Sequence, residues 1–179
     1  RFHEDFIVDP IQGGAGTSLN MNANEVIANR AIEILGGEKG DYSIINPNDD
    51  VNCGQSTNDV IPTAGKMTSL RLLKNLKKEL LRLHKALCAK AKEFDHVIKM
   101  GRTQMQDAVP IRLGQEFNAY SVAVMRDIHR MDRAMEEMCT LNMGGTAVGT
   151  GINADEAYLR RIVPNLVEVS DMEFVQAYD

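Results

Sequence analysis

The chain has 179 residues, of which 44% are hydrophobic and 25% are charged, and its formal net charge is −5. This length and composition are typical of a globular domain that can bury a core of its own. The acidic balance argues against nucleic acid as a partner, and neither a membrane span nor a signal peptide is predicted.

A glycine-rich stretch, Gln12–Ser18, is the first interpretable feature of the chain. It predicts a turn that leads into a helix over residues 20–35, which Gly36 and Gly37 end in the usual way. The stretch is a poor candidate for a nucleotide site because it lacks the GK[ST] ending of a phosphate-binding loop.

A polar run, Asn46–Asp59, follows and carries two hydroxyls and an amide side by side in Ser56-Thr57-Asn58. One interpretation is structural: Asn58 or Asp59 caps the next helix, and Pro62 is tolerated near its start. The other is a carboxylate-binding loop, since neutral donors beside a helix N-terminus favour an anion. The residue types alone leave both interpretations open.

Two long amphipathic helices are predicted next, over residues 58–94 and 113–138. Pro62 leaves open a division of the first into two helices. Residues 95–110 are predicted to form a loop, in which Arg102 and Asp107 can pair. The apolar stripes comprise Leu70, Leu73, Leu76, Leu80, Leu83 and Leu87 in one helix and Leu113, Phe117, Tyr120, Val124, Ile128, Met131, Met135 and Met138 in the other.

The last part of the chain predicts a flexible turn at Gly144–Gly151 and a short helix at Asp155–Val163 that ends before Pro164. Because no segment shows sustained period-two alternation, a sheet is not expected. Two long helices cannot bury both stripes by themselves, so we expect a helical bundle that further chain or other subunits complete.

The three cysteines, Cys53, Cys88 and Cys139, are too far apart for metal-site spacing. Their odd number fits a reducing compartment, and the cytoplasm is the predicted location. Cys88 and Cys139 are expected within helices as core thiols, whereas Cys53 lies in the polar run. The sequence predicts neither a metal site nor a cofactor.

Several motifs together resemble the aspartase/fumarase superfamily in order and spacing. They are QGGAGTS at Gln12–Ser18, NPND at Asn46–Asp49, QSTND at Gln55–Asp59, GRTQ at Gly101–Gln104, LGQEF at Leu113–Phe117 and GGTAVGTG at Gly144–Gly151. The resemblance implies an all-α, L-aspartase-like bundle of long helices, completed by a homotetramer whose active sites are shared between subunits. It also implies two domain portions, residues 1–45 from the N-terminal helical domain and residues 46–179 from the central bundle.

The resemblance further implies six substrate-binding residues: Thr17, Ser56, Thr57, Asn58, Thr103 and Gln104. Thr17, Ser56 and Thr57 are expected to hold the carboxylate next to the carbon that loses its proton. The other three are expected to hold the second carboxylate and the amino group. The implied reaction eliminates ammonia from L-aspartate to give fumarate, through an aci-carboxylate that fixed donors stabilise.

Fumarate hydratase is the alternative activity within the same superfamily. Its members usually carry histidine where this chain has Gln104, and glutamine cannot act as a general base. The sequence at Gly144–Val148 resembles the hydratases more, whereas the sequences at Gly13–Ser18 and Asp107–Pro110 resemble the ammonia-lyases more.

Asp50 and Cys53-Gly54 depart from the family pattern, and the Cys53-Gly54 pair, which replaces bulkier family residues, is expected to loosen the loop. The family's GSSxMPxKxNP loop, with its catalytic serine base, has no match here, so no catalytic residue is predicted and this fragment is expected to be inactive by itself. The departures at Asp50 and Cys53-Gly54 motivate a further hypothesis, a non-catalytic helical assembly module.

Overall fold

The computed structural model describes residues 2–11 and 14–178. The described residues are mostly helical, which confirms the all-α class. The helices are α1 (Thr17–Ile34), α2 (Thr57–Glu93), α3 (Leu113–Met138) and α4 (Glu156–Ser170). The strands are β1 (Ile98–Thr103), β2 (Gln106–Arg112), β3 (Thr140–Leu141) and β4 (Val175–Gln176), and a 3-10 turn (His3–Asp5) and a π turn (Pro47–Val51) complete the set.

The chain forms two compact units. The first unit comprises Arg1–Met67 and Cys139–Asp179, and the second comprises Thr68–Met138. Helix α2 begins in the first unit and ends in the second. It is continuous, so Pro62 does not divide it into two helices.

Glycines delimit α1 at both ends. Gly16 precedes Thr17 with a left-handed backbone, at φ 83°, and Gly36 adopts the same conformation after the helix. The amide of Gly37 donates a 3.0 Å hydrogen bond back to the carbonyl of Ile32, which satisfies one of the last free carbonyls of the helix. The predicted glycine termination is confirmed, although the helix begins three residues earlier than expected. Gln12 and Gly13 of the predicted glycine-rich turn lie outside the described residues.

Ser56 caps the start of α2. Its hydroxyl oxygen accepts a 3.2 Å hydrogen bond from the amide of Asn58, and its own amide donates to the carboxylate of Asp59 at 2.8 Å. This reciprocal arrangement is a capping box, which satisfies two groups at the helix start. The expectation that Asn58 or Asp59 would be the cap residue was wrong, because Asp59 serves as the partner of the cap.

The core of the first unit is mostly aliphatic, with one aromatic residue. Helices α1 and α4, strand β3 and the residues next to β3 and β4 supply it. The buried apolar side chains are Ala28, Ile32, Leu141, Met143, Val163 and Phe174.

Helix α4 does not end before Pro164 as predicted. It starts at the cap residue Asp155, whose carboxylate accepts from the amides of Ala157 and Tyr158, and it continues through Pro164 to Ser170. Proline removes one amide donor from a helix, but packing can outweigh that loss. Here Val163 is buried beside the exposed Pro164, so the helix is held through the proline.

The second unit pairs α2 with α3 in antiparallel fashion. Lys77 bonds Asp132, and His84 Nδ1 lies 3.0 Å from the carbonyl oxygen of Ser121. At the far end, a Cβ on Gly114 would lie 2.3 Å from the carbonyl oxygen of Ala91, so only glycine permits this approach of the two backbones. The predicted bounds of α3 are confirmed.

An antiparallel hairpin joins α2 to α3, where the sequence analysis predicted a loop and no sheet. Strands β1 and β2 pair from Ile98 with Arg112 to Thr103 with Gln106, around the two-residue turn Gln104–Met105. Both turn residues have positive φ, the pattern of a type I′ turn. The predicted pairing of Arg102 with Asp107 is present at 2.8 Å.

The apolar stripe of α2 is only partly covered. Within the described residues Leu70 is buried, whereas Leu76 and Leu83 are each about half exposed. No described helix is both long and apolar enough to cross a membrane. Cys88 lies in α2 as predicted, but Cys139 follows the last residue of α3 rather than lying within a helix, and both cysteines are partly exposed.

Candidate functional site

Two helix N-termini meet in the first unit. Thr17 is the first residue of α1, and Thr57 is the first residue of α2. A Cβ on Gly16 would lie 2.9 Å from Cγ2 of Ile61, so the glycine lets the start of α1 approach the second turn of α2. The start of α1 has no side-chain cap among the described residues, so its first amides and the positive dipole ends of both helices favour an anion here.

Buried asparagine side chains connect the two helix starts. Asn20 Nδ2 donates to Thr57 Oγ1 and to Asn52 Oδ1, both at 3.1 Å, and Asn24 Nδ2 donates to the same oxygen of Asn52 at 3.0 Å. Asn52 in turn donates to the carbonyl of Gln55 at 3.3 Å. Asn20 and Asn24 are 2% and 3% exposed, so these amides act as fixed internal supports.

These hydrogen bonds determine whether the hydroxyl groups of Ser56 and Thr57 can donate or accept a further hydrogen bond. Thr57 Oγ1 accepts from Asn20, and Ser56 Oγ accepts from the amide of Asn58. A hydroxyl carries one donor hydrogen in addition to its acceptor lone pairs. With an acceptor position on each oxygen occupied, both side chains are prepared to donate their hydrogens to an incoming carboxylate.

The glycine-rich segment, residues 142–151, docks on this same turn of α2. Asn142 Nδ2 donates to the carbonyl of Asn58 at 2.6 Å, and Asn58 Nδ2 donates to the carbonyl of Ala147 at 3.3 Å. The amide of Thr146 donates to Asp59 Oδ1 at 3.0 Å. Residues 144–151 of this segment were predicted to form a flexible turn, and these three bonds tie the segment to α2.

Asp59 is the most deeply buried charged residue at the site, with 0% exposure. Burial disfavours the charged carboxylate and raises its pKa above the ordinary value of 3.8. The hydrogen bonds from the amides of Ser56 and Thr146 act in the opposite direction and favour the charged form. The carboxylate therefore depends on those two amides in place of solvent.

Tyr158 of α4 lies beside this carboxylate. Burial is the main cause that raises the pKa of its phenol, and the nearby Asp59 and Cys53 add to it. The ring packs under Gly54, where a Cβ would lie 3.4 Å from ring atom Cδ1. Gly54 has φ 73°, so the glycine of the unusual Cys53-Gly54 pair provides a backbone conformation that other residues rarely adopt.

Asp50, the other departure from the family pattern, has a local role. Its Oδ2 accepts a 2.7 Å hydrogen bond from the amide of Asn46, and Asn46 Oδ1 accepts from the amides of Asn48 and Asp49. These bonds close the π turn that precedes the site. The carboxylate of Asp50 is thus used within its own loop.

Four of the six predicted site residues fall in the first unit: Thr17, Ser56, Thr57 and Asn58. Thr17 and Asn58 are exposed, and Ser56 and Thr57 are partly buried. Thr103 and Gln104 belong to the second unit, at the exposed tip of the β1–β2 hairpin. Gln104 has φ 51°, a conformation that is uncommon for a residue other than glycine.

Sequence reasoning missed the residues that support this site. The residues concerned are Asn20, Asn24, Asn52, Asp59, Asn142 and Thr146. A signal for two of them exists in the sequence, because Asn20 and Asn24 are one helical turn apart and share a face of α1. Nothing local predicts that Asn142 or Thr146 would contact a helix start more than eighty residues earlier.

Across residues 2–11 and 14–178, the structure contains no group of three or more His, Cys, Asp or Glu residues placed to hold a metal ion. The site in the first unit consists of neutral hydrogen-bonding side chains around one buried carboxylate, that of Asp59.

The profile of a family described as Lyase matches residues 1–179. Among characterised relatives, the aspartate ammonia-lyase of Bacillus subtilis (strain 168) is 56% identical over 99% of this chain, and that of Escherichia coli (strain K12) is 45% identical over 98%. In each case the match covers 37% of the relative. The chain thus spans little more than a third of the length of these proteins.

The fold of this chain is similar to that of two solved structures. A fumarate lyase:delta crystallin from Brucella melitensis superposes with a TM-score of 0.85 at 52% identity, over 98% of this chain and 38% of that one. A class II fumarase from Schistosoma mansoni superposes with a TM-score of 0.80 at 37% identity, over 94% of this chain and 36% of that one.

Proposed function

The chain belongs to the lyase family of the aspartase/fumarase superfamily, and we propose that the whole protein eliminates ammonia from L-aspartate to give fumarate. The relatives named aspartate ammonia-lyase, which are 45–56% identical to this chain, support the choice of aspartate as the substrate. Because the chain spans little more than a third of them, the activity is proposed for the full-length gene product.

One observation carries the proposal: at the start of α2, next to the start of α1, the Thr57 hydroxyl is held by a 3.1 Å hydrogen bond from the buried side-chain amide of Asn20. Thr17, Ser56 and Thr57 would bind the carboxylate next to the carbon that loses its proton. Loss of that proton converts this carboxylate into an aci-carboxylate with one more negative charge. Donors that are already fixed stabilise the added charge without reorganising, which lowers the barrier.

Asn58, Thr103 and Gln104 would hold the other carboxylate and the amino group. In this proposal the three residues come together with Thr17, Ser56 and Thr57 in a homotetramer whose active sites are shared between subunits. The base that removes the proton would be a serine outside this chain, so these residues bind and stabilise and do not transfer the proton. Gln104 is more compatible with an ammonia-lyase than with a hydratase. A hydratase must activate water, and the neutral amide of glutamine cannot act as the base for that step.

Several further features belong to the same proposal. Residues 1–45 would be the end of an N-terminal helical domain, and residues 46–179 the first part of the central bundle. The partly exposed leucines of α2, such as Leu76, are suited to pack against helices of other subunits. The reaction would need no redox cofactor, and the protein would act in the cytoplasm.

The test is an assay of the purified full-length gene product, with fumarate formation followed by ultraviolet absorbance. We expect fumarate from L-aspartate and none from L-malate. Activity on malate without activity on aspartate would replace the proposal by fumarate hydratase. No activity on either substrate from a folded tetramer would favour a non-catalytic assembly module.

A further inference from the structure

Pro62 and Asp59 together create a docking place on α2 for the glycine-rich segment, residues 142–151. In a regular helix the amide of residue 62 would donate to the carbonyl of Asn58, but proline has no amide hydrogen. That carbonyl instead accepts the 2.6 Å hydrogen bond from Asn142 Nδ2. A proline inside α2 thus frees an acceptor that the distant segment uses.

Asp59 provides the second attachment, one residue further along α2. It is fully buried, and its two oxygens accept from two separate parts of the chain, the amide of Ser56 at 2.8 Å and the amide of Thr146 at 3.0 Å. Thr146 has φ 60°, which is unfavourable for a β-branched residue. The segment therefore keeps a strained residue whose amide donates to this carboxylate.

We propose that Asp59 is a positioning residue, which fixes residues 142–151 against the start of α2 and thereby holds Ser56, Thr57 and Asn58 in the orientation that binds a carboxylate. This inference rests on the proposed function for its catalytic consequence. Its structural part, the attachment of the segment, can be tested without any activity. Asp59 itself does not contact the substrate in this account.

Two variants of the full-length gene product test the attachment from its two sides. Asp59→Asn replaces one acceptor oxygen by a donor, which would face an amide hydrogen of Ser56 or Thr146. Pro62→Ala supplies an amide that competes for the carbonyl of Asn58, and alanine favours the helix, so this variant retains a sound α2. The control is Asp41→Asn, an exposed loop carboxylate that accepts from Ser43.

Hydrogen exchange followed by mass spectrometry reads the attachment directly. We expect peptides covering residues 142–151 to exchange at least tenfold faster in Asp59→Asn, and measurably faster in Pro62→Ala, than in the unmodified protein or the control. A folded Asp59→Asn protein that exchanges at the unmodified rate would overturn the inference, whether or not the protein is a lyase. If Asp59→Asn does not fold, Pro62→Ala decides whether the segment is held on this turn of α2, and its exchange at the unmodified rate would overturn the inference.

Succinate, a dicarboxylate without a leaving group, tests the effect on the binding site. We expect Asp59→Asn to raise the dissociation constant of succinate and the KM for aspartate at least tenfold. A merely structural defect would lower the active fraction and kcat but leave KM unchanged. Faster exchange with unaltered succinate affinity would overturn the positioning role, and an unmodified protein inactive on aspartate would refute the proposed function without altering the exchange result.

Discussion

The side-chain nitrogen Nδ2 of Asn20 lies 3.1 Å from the hydroxyl oxygen of Thr57 and 3.1 Å from Oδ1 of Asn52. Both hydrogens of this amide are thus directed at fixed acceptors, one at the start of α2 and one in the preceding loop. The contact joins α1 to α2 at the point where both helices begin. The buried Asn20 therefore occupies an acceptor position of the Thr57 hydroxyl and leaves its hydrogen free to be donated elsewhere.

Replacing Asn20 by aspartate tests this support. The new carboxylate would place an acceptor where two donor hydrogens are required, and an unsatisfied buried polar group costs about 1–3 kcal/mol. We expect a lower melting temperature and a fall of about tenfold or more in kcat/KM for the full-length gene product. Asn29→Asp is the matched control, since Asn29 lies on the same helix and bonds Glu25 of that helix, Gly40 and Tyr42, away from the start of α2. Equal activities in the two variants would contradict the support role.

Gly16 allows the two helix starts to approach each other. Gly16→Ala would put a methyl group 2.9 Å from Ile61 and would force φ 83° on an L-residue, which costs about 1–2 kcal/mol before any contact with Ile61 is counted. We expect a loss of unfolding free energy, measured by chemical denaturation, together with weaker succinate binding.

Two glycines provide controls for that substitution. Gly14 has φ 94° with no atom near its missing Cβ, so Gly14→Ala adds the backbone strain alone. Gly65 lies within α2 and also faces open space, so Gly65→Ala should stabilise the helix by about 0.5–1 kcal/mol. If Gly16→Ala were no worse than Gly14→Ala, the close approach to Ile61 would have no energetic importance.

The hairpin turn has a residue that is poorly suited to its backbone. Met105 has φ 61° and is 91% exposed, so it has little packing to lose. Met105→Gly should therefore stabilise the second unit by about 1 kcal/mol, since glycine is preferred at this place in a type I′ turn. Chemical denaturation measures the gain, and Val109→Gly on the exposed strand β2 should instead destabilise. A loss of stability in Met105→Gly would show that the methionine makes contacts that offset its strain.

How the stability depends on pH follows from the burial of Asp59. Because burial raises its pKa above 3.8, the folded protein holds this proton more tightly than the unfolded chain does. The favourable contribution is fully present below pH 3.8 and is lost as the pH rises through the raised pKa. The unfolding free energy of the unmodified protein minus that of Asp59→Asn should therefore fall from acidic to neutral pH. A difference that increases with pH would mean that the hydrogen bonds from the amides of Ser56 and Thr146 outweigh the effect of burial and lower the pKa of Asp59.

The sequence predicted the helical elements well where the signal was local. The repeating leucines of α2, the bounds of α3 and the glycines after α1 all depend on spacing along one helix. The hairpin was missed because its turn residues, Gln104 and Met105, are not those of a type I′ turn, and because its strands carry exposed apolar side chains on both faces.

The site was predicted in part for the same physical reason. Ser56, Thr57 and Asn58 are adjacent in the sequence, so their shared chemistry was visible. The groups that orient them come from α1 and from residues 142–151, and only the folded chain brings these parts together. Pro62 illustrates the limit: the sequence showed that a helix could tolerate it, but only the structure shows that Asn142 uses the carbonyl it frees.

Neutral donors at the helix starts are proposed to bind the substrate carboxylate. This is tested by measuring kcat/KM for aspartate in the Thr57→Val variant of the full-length gene product. Valine keeps the shape of threonine and removes the hydroxyl. Loss of one donor to a developing anion typically lowers the rate by about a hundredfold to a thousandfold, and we expect a loss of that size. Thr68→Val, at an exposed position of the same helix, should stay within about twofold. A Thr57→Val enzyme as active as the Thr68→Val control would contradict the account.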